Sequence, residues 1–223
     1  MSKFIYGIAL TVVFFLPVSS LAMPCHCFTD RDYDPGQPAA ADPYFLATTE
    51  NSFFAVVNGM QKKDVVFAKQ TPSTTAENLW VAYWLAEKTG EPTKTLMKSR
   101  FRNRSWATTL SALEINRDGL PVATRIQLEA DPDDLTLASS VIDTILEERM
   151  VISGRELQQL RTAGADNKQT IIASLLALKT ERVAIEYLNE VLAGQRSWGT
   201  HLLKSGLNGN DMEAEIKRLL QGQ

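Results

Sequence analysis

Cys25, His26 and Cys27 are adjacent and form the most chemically loaded triplet in the chain. Thiolate and imidazole are soft and borderline donors, so the triplet is a candidate site for copper or zinc, copper as copper(I). Three consecutive residues cannot close a tetrahedron around one ion. The remaining ligands would have to come from His201, the other histidine, or from a second chain. A c-type haem is not supported, because its attachment needs two residues between the cysteines followed by His. The competing chemistry is structural or redox. The chain has two cysteines, and a bridge across a single residue is strained. In an oxidising compartment the choices are therefore an intermolecular disulfide or a strained local one. The residue types favour structural or redox use, with metal binding as the alternative.

The other candidate groups are weaker. Asp30-Arg31-Asp32-Tyr33-Asp34-Pro35-Gly36 resembles the opening of an EF-hand calcium loop, but Pro35 stands where the turn wants Gly and Ala41 where a bidentate Glu is needed. An acidic, solvated arm is the better reading. Trp80, Tyr83, Trp84, Trp106 and Trp198, with Phe53 and Phe54, could line a sugar or peptide groove, yet they fall at the spacing of helix core faces. Lys94, Lys98, Arg100, Arg102 and Arg104 make a short basic segment, read as a solvated helix face or as a contact for anionic lipid, glycan or protein. Glu50, Glu77 and Glu114 are carboxylates of the aromatic-rich half, and nothing in their spacing selects an acid/base pair for glycan chemistry.

The position of these groups along the chain gives them their setting. Lys3 precedes an apolar run from Phe4 to Leu16, then Pro17, Ser19, Ser20 and a small-residue end at Leu21-Ala22. That order is a secretory signal peptide over residues 1–22, with the mature chain beginning at Met23. The apolar run is short of the ~20 residues that a membrane span needs. Pro24 before Cys25 disfavours a lipoprotein. Residues 23–40 read as an arm rich in Cys, Asp and Pro, extended from Pro35 to Ala41.

Beyond the arm the chain repeats itself. Arg104-Ser105-Trp106-Ala107-Thr108-Thr109-Leu110 recurs as Arg196-Ser197-Trp198-Gly199-Thr200-His201-Leu202, and Asn116 falls on Asn208 in the same register. Upstream, with one gap, Leu79 to Thr89 aligns with Thr170 to Thr180, nearly every apolar position meeting an apolar one, and Ala41-Asp42-Pro43 matches Ala130-Asp131-Pro132. Two tandem modules follow, residues 41–129 and 130–221, packed as one pseudo-symmetric body. Each reads as helices. Asp42-Pro43 and Asp131-Pro132 are expected N-caps with Pro at the first helical position. Leu135, Ala138, Ile142, Ile145 and Leu146 form one stripe ending at Arg149, Ser153 to Glu156 is a capping box, and Asn210 to Glu213 is a further cap. Asp64-Val65-Val66-Phe67 is β-branched, but the repeat assigns it to a helix. No alternating run lies between hairpin turns, so the class is all-α.

Composition sets the outer bounds. Of 223 residues, 44% are apolar and 22% charged, with net charge -3, which excludes a disordered tail, a multi-span membrane protein and a disulfide-stapled miniprotein. The mild acidity argues against nucleic acid as a main partner. No Gly-rich phosphate loop, GxSxG elbow or HExxH motif is present. The expected function is that of an exported, periplasmic or secreted, non-catalytic helical interaction or structural protein. Its alternatives are a metal or redox protein using Cys25, His26 and Cys27, and a glycan-binding or glycan-cleaving envelope protein.

Overall fold

The computed structural model describes residues 28–149, 152–207 and 209–222. The expected leader at residues 1–22 and the triplet Cys25-His26-Cys27 lie outside the described residues, as does Asn208. The described chain is all-α, with twelve helices and no strand. They are α1 (Asp42–Val57), α2 (Lys62–Lys69), α3 (Ala76–Thr89), α4 (Thr93–Arg102), α5 (Trp106–Ala112), α6 (Val122–Glu129), α7 (Asp134–Glu148), α8 (Gly154–Thr162), α9 (Asn167–Thr180), α10 (Ala184–Leu192), α11 (Trp198–Ser205) and α12 (Met212–Gln221).

The starts of these helices follow from short polar side chains. Ser105 caps α5 by accepting from Thr108 N, and Ser197 caps α11 by accepting from Thr200 N. The recurring Ser-Trp-x-Thr is thus a cap whose oxygen satisfies an amide that the helix leaves open. The expected capping box at Ser153 is present on α8, with Glu156 Oε2 accepting from Ser153 N. Asp166 and Gln169 make another on α9. α3 stops at Gly90, whose φ of 76° is left-handed.

Three expected caps are corrected. The N-cap of α1 is Ala41, and Asp42 turns away to serve another helix, as described below. Asp131 has φ 50°, and the side chain that caps α7 is Asp133, accepting from Thr136 N at 2.7 Å. Asp211 sits at the N-cap of α12 without a side-chain cap bond. The α7 stripe begins at Leu137, since Leu135 is 57% exposed. Asp64 to Phe67 is helical within α2, with Val65 buried and Phe67 outside. The Pro35-to-Ala41 stretch winds through turns, with Gln37 N bonded to Asp34 O and Ala40 N to Gln37 O, instead of running extended.

One continuous apolar core joins all of this. α3 and α9 are buried almost all round, through Leu79, Trp80, Val81 and Leu85 in one and Ile171, Ile172, Leu175 and Leu176 in the other. α3 packs on α7 and α4, and α9 packs on α1 and α10. α1 lies between α2, α9, α11 and α12. That enclosure explains why its polar run Thr48-Thr49-Glu50-Asn51-Ser52 is buried throughout.

The Asp42 carboxylate reaches the start of α11, accepting from Trp198 N at 3.0 Å and Gly199 N at 2.8 Å. Next to it a Cβ on Gly199 would stand 2.8 Å from Cε2 of Phe45 and 3.0 Å from Cδ2 of Tyr33. The ring of the buried Phe45 takes the space that a side chain at position 199 would need. Gly199→Ala should therefore lower stability by about 1–3 kcal/mol in denaturant titration, overpacking outweighing the gain in helix propensity. A rise in stability would show that Phe45 moves aside freely.

Candidate functional site

α4 presents the chain's most distinctive exposed face. Leu96 is fully buried and anchors the helix against the body. At 3.6 residues per turn, Lys94, Lys98, Phe101 and Arg102 share about 100° of arc on the side opposite Leu96. All four are exposed, Phe101 at 74%, and exposed Arg104 follows the helix end. Lys94, Lys98, Arg102 and Arg104 have no ion-pair partner among the described residues. The helix itself contains no acidic residue, so four positive charges go uncompensated within α4 and its end.

Arg100 leaves this group. Its Nη2 donates to both oxygens of Asp134 at 2.8 Å, and its Nη1 to Asn103 O at 2.8 Å. Asn78 Nδ2 donates to the same carboxylate at 2.9 Å, and the guanidinium stands 5.9 Å from the Trp106 ring. Arg100 therefore clamps α4 to α3, α5 and α7 and is structural. The basic segment divides by helical phase, with one cation turned to the body and the rest to solvent.

Grooves flank the exposed cations. One, of about 440 Å³, runs past Thr95, Lys98, Ser99, Arg102 and Asn103 toward α5. Another, of about 350 Å³, lies past Ser73, Thr74, Lys98, Phe101 and Asn103. Lys98 borders both. Asn103 Nδ2 is engaged with Ser99 O at 2.8 Å, which fixes its amide at the lip of the first groove. Hydroxyls and amides between cations form an arrangement that can hold phosphate or carboxylate oxygens.

The other sequence candidates are not assembled into a site. Trp80, Trp84, Trp106, Trp198, Phe53 and Phe54 are core residues, each 2% exposed or less, so no aromatic groove is formed by them. Asp34 Oδ1 accepts from Gly36 N at 2.8 Å, closing a local turn. Among the described residues no group of three or more His, Cys, Asp or Glu could hold a metal ion. No helix among the described residues is long and apolar enough to cross a membrane.

Two charged clusters bring together Glu50 and His201 with partners that residue spacing does not reveal. Glu50 lies inside the body, with Lys69 Nζ at 2.9 Å and Trp80 Nε1 donating at 3.3 Å. Burial opposes its ionised form, but the charges of Lys69 and Lys168, with those hydrogen bonds, outweigh it and hold the carboxyl below its usual range. The only sequence signal was a run of five polar residues between Phe45 and Phe53. His201 is buried with Nε2 3.5 Å from Glu190 Oε2, and Glu190 is held by Arg182 and Arg196. Burial lowers the His201 pKa to about 4 against the opposing pull of Glu190, so the ring is neutral near pH 7. No protein-family model, curated protein or solved structure matches the chain.

Proposed function

We propose that this is an exported, periplasmic or secreted, non-catalytic helical interaction protein that holds a polyanionic partner against α4. The observation that carries the reading is the unpaired cationic face formed by Lys94, Lys98 and Arg102, on a chain whose net charge is -3. Local cations of that density attract anions and are mutually repulsive when left alone. Export rests on the leader pattern of residues 1–22, and N-terminal sequencing of protein recovered from the cell envelope tests it, Met23 being the expected first residue.

The partner face has its own test on a heparin column at low salt. The full chain should be retained and elute with rising salt, while Lys94→Glu/Lys98→Glu/Arg102→Glu should pass through. Lys63→Glu/Lys179→Glu/Lys217→Glu changes net charge equally at exposed positions elsewhere and should still be retained. Equal losses for both variants would reduce the effect to net charge and sink the assignment to α4.

We also propose that the body arose by duplication of one six-helix unit, residues 41–129 and 130–221. Helices α1 to α6 have 16, 8, 14, 10, 7 and 8 residues, and α7 to α12 have 15, 9, 14, 9, 8 and 10. The packing supports it as well, because α1 meets α9 and α12 while α7 meets α3 and α6. In that arrangement each half lends its first helix to the other, so neither half is complete alone.

A further inference from the structure

We infer that the anionic partner of α4 is a phospholipid bilayer, with Lys94, Lys98 and Arg102 on the headgroups and Phe101 entering among them. The inference rests on the reading of α4 as the contact face and names what lies against it. The added observation is Phe101, which is 74% exposed on the arc that carries the cations and opposite the buried Leu96. A purely ionic partner gives an exposed phenyl ring nothing, whereas an interface of charged headgroups above acyl chains satisfies cations and ring at once.

The shape of the face agrees. It is one short convex helix of ten residues with an apolar contribution of a single ring, which suits lying in a headgroup plane and not spanning it. A single-stranded nucleic acid is held by successive aromatic platforms, and α4 has one aromatic side chain. The groove beside Lys98 and Arg102 adds the hydroxyls of Thr95 and Ser99, donors for a headgroup phosphate.

Flotation with extruded vesicles tests this, using the protein as recovered from cells and reading differences between variants, so that whatever precedes residue 28 contributes equally throughout. Vesicles of phosphatidylcholine mixed with phosphatidylglycerol should carry the protein up more strongly than phosphatidylcholine alone. A basic side chain near an anionic surface is worth about fivefold in partition. Lys94→Glu/Lys98→Glu/Arg102→Glu should thus lower partition into the mixed vesicles about a hundredfold or more, with unchanged far-ultraviolet circular dichroism. Phe101→Ser should lower it about tenfold through lost apolar burial while leaving elution from heparin unchanged. That pair of readings separates a bilayer from a soluble polyanion. A protein retained on heparin but indifferent to phosphatidylglycerol, or a Phe101→Ser variant that floats like its parent, overturns the bilayer inference and leaves the cationic face standing. Loss of heparin retention in the parent overturns both.

Discussion

Replacing Lys69 with Met should remove about 3–5 kcal/mol of stability, a cost set by stranding a buried charge. Lys69 and Glu50 have side chains only 4% and 5% exposed, and their 2.9 Å contact joins α2 to the interior of α1. Without the ammonium, Glu50 keeps the Trp80 N–H at 3.3 Å and the more distant charge of Lys168, which together replace neither the ion pair nor solvent. For a chain of this size the midpoint of thermal unfolding should fall by roughly 6–20 °C. Two further results distinguish a stranded charge from simple loss of packing. The double variant Glu50→Leu/Lys69→Met should be less damaging than Lys69→Met, although the Trp80 N–H then loses its acceptor at about 1–3 kcal/mol. The penalty of Lys69→Met should also shrink as the pH falls into the carboxylate range, because the unpaired Glu50 can then take up a proton. A loss below about 1 kcal/mol would mean that water reaches the pair.

That interior pair shows where reading the chain as a string of helices stops. The all-α class, the helical state of Asp64 to Phe67 and the burial of the tryptophans were legible, because apolar spacing at 3.6 residues per turn is a local property. Asp42 was not. An Asp-Pro pair at a helix start suits a local cap, but which amides a carboxylate satisfies depends on what the fold brings near. Here those amides are Trp198 and Gly199, more than 150 residues away. Glu50 and Lys69 fail for the same reason, since their pairing exists only once α2 folds back on α1. The basic segment was half legible. Its charges were plain, and placing residues 94–102 on a helix is enough to set Lys94, Lys98 and Arg102 apart from Arg100. That Arg100 has a carboxylate waiting on α7 could come only from the structure.

Acid should weaken the fold well above the pH at which ordinary carboxylates protonate, and His201 is the reason. Its folded pKa of about 4 lies below the ordinary value of 6.5, so between those values the unfolded chain binds a proton that the folded chain refuses. Stability is therefore full above about pH 6.5 and falls as the pH drops toward 4, by about 3 kcal/mol at 1.36 kcal/mol per pH unit. The groups facing the ring explain the size of the effect. Burial dominates, the Glu190 carboxylate favours the charged ring, and Arg196, Arg182 and Lys204 oppose it. Glu190 is already committed to Arg182 and Arg196, so it has little left to offer an imidazolium. Glu50 and Asp133, held below their usual range, begin to lose their stabilising share only as the pH falls below the ordinary carboxylate values of 4.5 and 3.8, at the foot of the His201 window and under it. Asp42, pushed up by burial against its two backbone hydrogen bonds, acts with the opposite sign and gains stability on protonation. Urea titrations from pH 7 to pH 4.5 on the parent and on His201→Thr, the residue type that Thr109 supplies in the aligned α5, isolate the effect. The variant can be less stable at pH 7 because of the volume lost, but its stability should be nearly flat across that range while the parent's declines. Parallel curves for the two proteins would assign the acid sensitivity to other groups and leave His201 as a neutral packing residue whose proton is immaterial to the fold.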